Sequence, residues 1–239
     1  MTIQPYAGII YLAILVVKGL LIGKGMSFIY KGANRPVDDC SAPTGMKWRD
    51  EDMPPKVKIT KKMVADASFE VVRANGHENL NARTISEYLG CSTQPVLYTF
   101  KTVDEIREAA YEMADRYHTE YISPKETDEN PMLVLGLNYV RFGHEEKNLF
   151  RFLFQTDKFG GKDIGELLSD PGLSGILEVM AKGLAMSTEQ AREMFLTFFC
   201  VAHGLASLLA NNSMEYDEAG SKKMLENVFF GMIAARKGK

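Results

Sequence analysis

The fold prediction starts from residues 60–100, TKKMVADASFEVVRANGHENLNARTISEYLGCSTQPVLYTF. Apolar residues recur there at three- and four-residue spacings, which indicates a helix with one buried face that ends at Asn75-Gly76. Asn81 is a good N-cap for a second helix over Ala82–Leu89. After Gly90, Ser92 caps a third helix. The predicted inward positions are Met63, Val64, Ala67, Val71, Val72, Ile85, Ser86, Leu89, Cys91, Val96 and Phe100.

Two short helices joined by a Gly-x-Ser turn have the lengths of a helix-turn-helix. Together with the preceding helix they resemble the N-terminal DNA-binding domain of TetR-family transcriptional regulators, over residues 56–121. One position departs from the family pattern, because Leu97 stands where members usually carry a tyrosine, with Tyr98 beside it. The resemblance is carried by Ala67, Asn75-Gly76, LNARTIS (80–86), LGCS (89–92) and Phe100-Lys101.

The third helix of such a unit enters the major groove with its first residues towards the base edges. Gln94 suits a bidentate contact with adenine, and Thr93 or Pro95 can pack on a thymine methyl group. Phosphate contacts are expected from residues near the ends of these helices, and the free N–H groups that open the second helix suit an anion. The predicted DNA-binding residues are Lys58, Asn81, Ala82, Arg83, Thr93, Gln94, Pro95, Tyr98, Thr99 and Lys101.

The distribution of charge fits this assignment. Residues 54–101 carry seven Lys or Arg against four Asp or Glu, whereas residues 102–239 carry fifteen against twenty-two. A basic unit on an acidic body suits a protein that places one end on phosphates. Charge alone leaves ordinary surface scatter open as the alternative.

The rest of the chain shows helical periodicity and no strand-like alternation, so the predicted fold is all-α. A helix follows Thr102 and ends near Ser123-Pro124, and Ser187 with Gln190 forms a capping box before the apolar helix 191–210. The expected organisation has three parts: an N-terminal extension of uncertain status (1–53), the helix-turn-helix domain (54–101), and a linking helix with the ligand-binding and dimerisation domain (102–239).

The family resemblance implies a homodimer through the last two helices, about 187–210 and 216–236. The apolar surface of the first of these exceeds what one neighbour would cover, and its small residues Ala202, Gly204 and Ala206 would allow close approach. A central helix in a monomer is the alternative.

The resemblance also implies a cavity for a small, apolar effector in a body rich in Phe and Met. For His203, a satisfied core histidine is the alternative. The candidate lining is Phe142, Phe154, Met180, Phe198 and His203.

Three alternatives stay open for residues 1–53: a mis-assigned start with translation from Met46 or Met53, a membrane anchor at the apolar run 7–17, or an additional helix on the body. Three widely spaced cysteines fit neither a disulfide framework nor a zinc site, and indicate a reducing cytoplasm.

No catalytic or phosphate-loop motif is present, so we expect neither an enzyme nor a cofactor. The expected function is a cytoplasmic, TetR-type repressor that binds operator DNA and is released by an effector. The rival is a membrane-tethered ligand sensor that acts through protein partners without binding DNA.

Overall fold

The computed structural model describes residues 58–125, 130–156 and 173–237, and every regular element within these ranges is helical. The all-α prediction is confirmed for this part of the chain. The predicted N-terminal extension (1–53) lies outside the described residues.

Nine α-helices occupy the described ranges, with a short 3-10 helix at His77–Asn79. We refer to α1–α3 as the N-terminal helices and to α4–α9 as the body. The helices are α1 (Lys61–Asn75), α2 (Ala82–Leu89), α3 (Thr93–Thr99), α4 (Val103–Ile122), α5 (Pro131–Glu145), α6 (Lys147–Phe154), α7 (Ser174–Gly183), α8 (Thr188–Asn211) and α9 (Glu218–Lys237).

Side-chain caps set several helix starts. The Thr60 hydroxyl accepts a hydrogen bond from the N–H of Met63 at the start of α1. The predicted capping box at Ser187 is confirmed, because its hydroxyl accepts from the Gln190 N–H while the Gln190 side chain accepts from the Ser187 N–H. Helix α2 ends at Gly90, whose φ of 63° is the left-handed conformation that favours glycine.

The N-terminal helices bury the face that the sequence predicted, apart from three positions at its margin. Met63, Leu89 and Cys91 are only half-buried, and Leu89 and Cys91 pack against the core. Helix α1 lies against α2 on one side and against α4 on the other. The buried members of this face are Val64, Ala67, Val71, Val72, Ile85, Ser86, Val96 and Phe100.

Helix α4 buries more than one stripe. One stripe includes Ile106 and Ala110, which are buried, and Ala109, Met113 and Tyr117, which are half-buried. A second buried set arises because α4 packs against α1 on one side and against α5 and α6 on another. Its members are Tyr111, Ala114, His118, Thr119 and Ile122.

Helix α8 is the central element of the body, in contact with α5, α6, α7 and α9. Its closest approach is to α5, where a Cβ added to Gly143 would lie 2.7 Å from the Cβ of Ala206 and 2.8 Å from its backbone. The sequence had suggested that Ala202 and Ala206 allow close approach of a partner. Both are buried inside the chain, so they serve this internal packing instead. Of the three small residues, Gly204 alone is exposed.

The outer face of α8 remains uncovered. Among the described helices, α8 is the one that is long and apolar enough to span a bilayer, a property that core helices of soluble proteins share. Only 39% of its most apolar 18-residue window is buried. Leu208 on α8 and Met224 and Phe230 on α9 are large, apolar and about half exposed. These two helices therefore present apolar surface that the described chain does not cover.

Replacing Gly143 by Ala should lower the free energy of unfolding by about 1–3 kcal/mol, because the new methyl group meets the α8 backbone, which cannot move aside locally. Urea denaturation measures the loss. Gly183→Ala is the matched control, since a Cβ there meets no atom within 4 Å. Its stability should stay within about 0.5 kcal/mol of the wild type. Equal effects of the two substitutions would show that the α5–α8 approach is not a tight constraint.

Candidate functional site

Helix α3 has one buried and one exposed face. Val96 and Phe100 point into the core, with 0% and 6% of their surface exposed, as the sequence predicted. Thr93, Gln94 and Tyr98 lie on the exposed face, and Tyr98 is 81% exposed. Three of the five α3 side chains predicted to contact a DNA duplex are therefore accessible together.

A hydrogen bond organises this exposed face. The Gln94 amide Nε2 donates to the Tyr98 hydroxyl over 3.2 Å, one helical turn along. The amide oxygen of Gln94 is not used in this bond. Leu97, in the position that departs from the family pattern, is 53% exposed beside the pair. The face thus combines an amide, a phenol and an apolar side chain, the groups suited to base edges, phosphates and methyl groups.

Two predicted contact residues are less accessible. Pro95 and Thr99 are half-buried, and the Thr99 hydroxyl donates to the Pro95 carbonyl over 2.6 Å. That hydroxyl proton is thus committed to the helix itself. Thr99 keeps only an acceptor oxygen, which does not bond to a phosphate. The structure thus places Thr99 less favourably for a phosphate contact than its sequence position suggested.

The start of α2 differs from the expected anion site. The Asn81 side-chain oxygen accepts from the N–H groups of Arg83 and Thr84 over 3.0 and 3.1 Å. These two N–H groups are therefore already satisfied by the chain, contrary to the expectation that they are free. Arg83 itself is exposed and pairs with Glu87 over 2.9 Å, with Ala82 half-buried beside it. The guanidinium is the group at this helix start that can reach an anion.

Lysines flank the exposed face. Lys58 and Lys101 are both exposed. The Lys61 ammonium lies 4.9 Å from the centre of the Phe100 ring, which holds a third positive charge against the outer side of the core. The backbone N–H of Lys101 donates to the Glu105 carboxylate over 3.0 Å and fixes the turn before α4, while its side chain extends outwards.

The N-terminal helices are joined to the body by a polar cluster. Arg73, in the last turn of α1, donates to both oxygens of the Glu146 carboxylate, and its Nε–Oε2 distance is 2.9 Å. The Tyr117 hydroxyl on α4 accepts from Arg73 and donates to Glu146 over 2.8 Å. Asn148 donates its amide to the Arg73 carbonyl over 3.0 Å. Glu146 lies between α5 and α6, so this Arg73–Glu146–Tyr117 cluster links both to α1.

Electrostatics strengthen the cluster. The hydrogen bond to Glu146 raises the pKa of Arg73 further above its usual range. Burial, followed by the hydrogen bond to Glu146, raises the pKa of Tyr117 to about 12, so the phenol stays protonated and available as a donor. The Glu146 side chain is only 10% exposed, which limits competition from water. Next to this cluster, His77 stacks on Phe152 with ring centres 5.7 Å apart.

The predicted effector-lining residues fall into two groups. Phe142, Phe154 and His203 belong to one aromatic cluster, in which Phe154 lies 5.8 Å from His203. Phe198 lies outside this cluster. Its ring packs on Phe229 and lies so close to Gly136 that a Cβ added there would be 2.6 Å from it. Met180, on α7, is buried in the core.

His203 satisfies one nitrogen within the chain, since its Nδ1 shares a 2.9 Å hydrogen bond with the Tyr139 hydroxyl. Burial lowers the pKa of His203, which favours the neutral ring. The alternative of a satisfied core histidine therefore holds for this nitrogen. Cys200, one turn earlier, is exposed, and the described residues contain no group of three or more potential metal ligands.

Sequence reasoning missed His118. It is 3% exposed, and its imidazole meets the rings of Tyr139, Phe142 and Phe154 edge to face at 4.8–5.5 Å. Its Nε2 atom is buried without a hydrogen-bond partner in the structure. The helical spacing held a signal: His118 follows Ala114 by four residues and Tyr111 by seven, on the second buried stripe of α4.

Comparison with protein-family models and with curated proteins gave no match to this chain.

Burial lowers the pKa of His118 from 6.5 to about 3. Below pH 6.5 the His118 imidazole is protonated in the unfolded chain but stays neutral in the folded chain. The imidazole therefore destabilises the fold as the pH falls. The free energy of unfolding of the wild type should fall as the pH is lowered from about 7 to about 5. In His118→Phe this fall should be smaller by about 1 kcal/mol per pH unit. Urea denaturation across that range measures it.

Phe154→Leu is the control, because it removes a neighbouring ring and keeps the titrating imidazole. Its pH dependence should match the wild type. Part of the dependence will persist in His118→Phe through other groups, including His203. An unchanged slope in His118→Phe would contradict the assignment.

Proposed function

We propose that this chain is a DNA-binding transcriptional repressor of the TetR type, which binds a palindromic operator as a homodimer and is released by a small effector. The free cysteines Cys91 and Cys200 suit a cytoplasmic location. The proposal rests on the chemistry of the N-terminal helices, the uncovered surface of the last two helices and the polar cluster between the N-terminal helices and the body.

The observation that carries the proposal is the two-faced character of α3. This helix of seven residues is anchored in the core by the buried side chain of Val96. Thr93, Gln94 and Tyr98 are exposed to solvent. An adenine edge presents one acceptor and one donor to the major groove, which the two ends of the Gln94 amide can match. To make both bonds, Gln94 would exchange its contact with Tyr98 for the base. Tyr98 would then be released towards a phosphate.

Positive charge around this face supports the same role. Lys58, Arg83 and Lys101 are exposed near the ends of the N-terminal helices, and the acidic body carries the opposite sign. Phosphate contacts by such side chains add affinity without sequence preference and release counterions. An acidic body would keep the rest of the protein away from the duplex.

The apolar surface on α8 and α9 supports dimerisation. Leu208, Met224 and Phe230 are each about half exposed, and Gly204 and Gly231 next to them leave room for close approach of a second helix pair. A self-complementary surface of two helices forms a four-helix interface in a two-fold dimer. Two copies of α3 about one helical turn apart would match the two halves of a palindrome.

The Arg73–Glu146–Tyr117 cluster gives the effector a route to the DNA. Glu146 lies between α5 and α6, whereas Arg73 belongs to the N-terminal helices. An effector that binds differently to two arrangements of α5 and α6 would shift the position of α1 through these charge-assisted bonds. The separation of the two α3 helices in the dimer would change with it.

Gln94→Ala should relax sequence preference at the adenine it contacts, at a cost of about 1–3 kcal/mol for the preferred base and little for the others. Selection from a randomised duplex pool, followed by competition binding, measures this. Retention of the same preferred site with unchanged discrimination would remove Gln94 from the readout. Failure of the wild-type protein to select any duplex would overturn the proposed function.

Lys101→Ala should weaken binding to all duplexes alike and reduce the slope of log affinity against log salt by about one. Lys182→Ala is the matched control, because Lys182 is an exposed lysine on the body, in the last turn of α7. Mobility-shift titrations at several salt concentrations distinguish the two. Equal slopes for both variants would argue against a phosphate contact at Lys101.

Phe230→Glu should convert the dimer to a monomer, because a charge would be buried in the apolar interface without a partner. Light scattering after size-exclusion chromatography measures the mass. Leu97→Glu places the same charge on a residue of equal exposure in the N-terminal helices, and should leave the dimer intact. A monomeric wild type would refute the interface.

A further inference from the structure

The nitrogen Nε2 of His118 is an unpaired polar atom in the interior. It has no hydrogen-bond partner, and 3% of the residue is exposed. Burying such an atom without a partner is unfavourable, and native proteins rarely leave one in this state. A partner that arrives from outside the chain would recover that cost on binding. The atom is therefore a site where a ligand can gain affinity.

The surroundings of His118 restrict the shape of a ligand. Tyr139, Phe142 and Phe154 present their rings edge to face to the imidazole, with centres 5.5, 4.8 and 5.1 Å away. Tyr139 is already committed to His203 through its hydroxyl. A group that took the place of one of these rings would meet ring surfaces on several sides and one available nitrogen. A planar, apolar ring is the complementary shape.

Phe154 is the most exposed of the three rings around His118. Tyr139 and Phe142 are 4% and 0% exposed, whereas Phe154 is half-buried at the last position of α6. Its ring contacts His118 on one side and His203, also half-buried, on the other. Rotation of Phe154 towards solvent would leave a space about the size of one phenyl ring beside the unpaired nitrogen of His118.

The charge state of the cluster excludes ionic ligands. Burial lowers the pKa of both His118 and His203 and raises that of Tyr139, so all three side chains are neutral near pH 7. The rings in contact with His118 carry no formal charge either. A carboxylate or ammonium group placed there would lose its hydration without gaining an opposite charge.

We propose that the body binds an uncharged, ring-bearing molecule whose ring takes the place of the Phe154 ring and whose single hydroxyl group hydrogen-bonds to His118 Nε2. This inference rests on the proposed effector role of the body and names the chemical class of that effector. A hydroxyl group suits either tautomer of His118, because it can donate to a bare Nε2 or accept from a protonated one.

Phenol, toluene and benzoate are matched probes for this site, because they share one ring and differ in its substituent. Calorimetry or ligand-observed NMR with the full chain should give phenol a roughly 3- to 10-fold advantage over toluene, the value of one hydrogen bond. Benzoate should bind at least about 10-fold more weakly than phenol, because its charge is unpaired in the site.

Two variants locate the site. Phe154→Ala opens the space in advance and should raise phenol affinity by about 10-fold, as dry engineered cavities take up aromatic ligands. His118→Phe keeps a ring and removes the nitrogen, so the advantage of phenol over toluene should disappear. Phe199→Ala is the control cavity: Phe199 contacts Tyr139 and His203 but has no ring contact with His118. It should not strengthen the preference for phenol.

The comparison of phenol with toluene does not require that Phe154→Ala folds, because the wild type and His118→Phe are both tested with Phe154 intact. The proposal would be overturned if the wild type bound phenol and toluene equally, or if His118→Phe kept the preference for phenol. It would also be overturned if benzoate bound more tightly than phenol, or if neither the wild type nor Phe154→Ala bound phenol. DNA selection on the same wild-type sample separates the two hypotheses. Phenol binding without DNA binding would refute the repressor and keep the site, and the reverse result would refute only the site.

Discussion

The relation between the N-terminal helices and the body depends on the Arg73–Glu146–Tyr117 cluster. Its three members come from α1, the junction of α5 and α6, and α4, so one carboxylate connects four helices. Arg73 offers a planar fork that matches both carboxylate oxygens, and its guanidinium also lies 5.0 Å from the centre of the Tyr117 ring. With Glu146 90% shielded from water, removing either partner would strand a charge.

The aromatic interior of the body follows a different rule, because His118, Tyr139 and His203 are neutral there. His118, Tyr139 and His203 lie among phenylalanine rings, and burial moves the pKa of each towards its uncharged form. Charged partners are concentrated at the junction with α1, and uncharged rings fill the space behind it. Phe142 borders both regions, since its ring contacts His118 and also lies 6.3 Å from Tyr117. A change among the neutral rings is therefore only one side chain away from the charged cluster.

Packing of α8 separates internal from external contacts. Ala202 and Ala206 face inwards, and the approach of Ala206 to Gly143 fixes α8 against α5. The opposite side of α8 and the outer side of α9 keep Leu208, Met224 and Phe230 exposed. An apolar outer face of a helix is unfavourable in water unless a second surface covers it.

Local sequence by itself determined the helices, because capping residues and three- and four-residue periodicity act within one or two turns. The caps at Asn81 and Ser187 and the inward positions Val96 and Phe100 were predictable for that reason. Tertiary structure alone decided which faces of α4 and α8 meet other helices. It buried His118 and turned Ala206 inwards, and it joined Arg73 to Glu146 across 73 residues of chain. Such pairings depend on how whole helices pack, and no local pattern encodes the partner of a side chain.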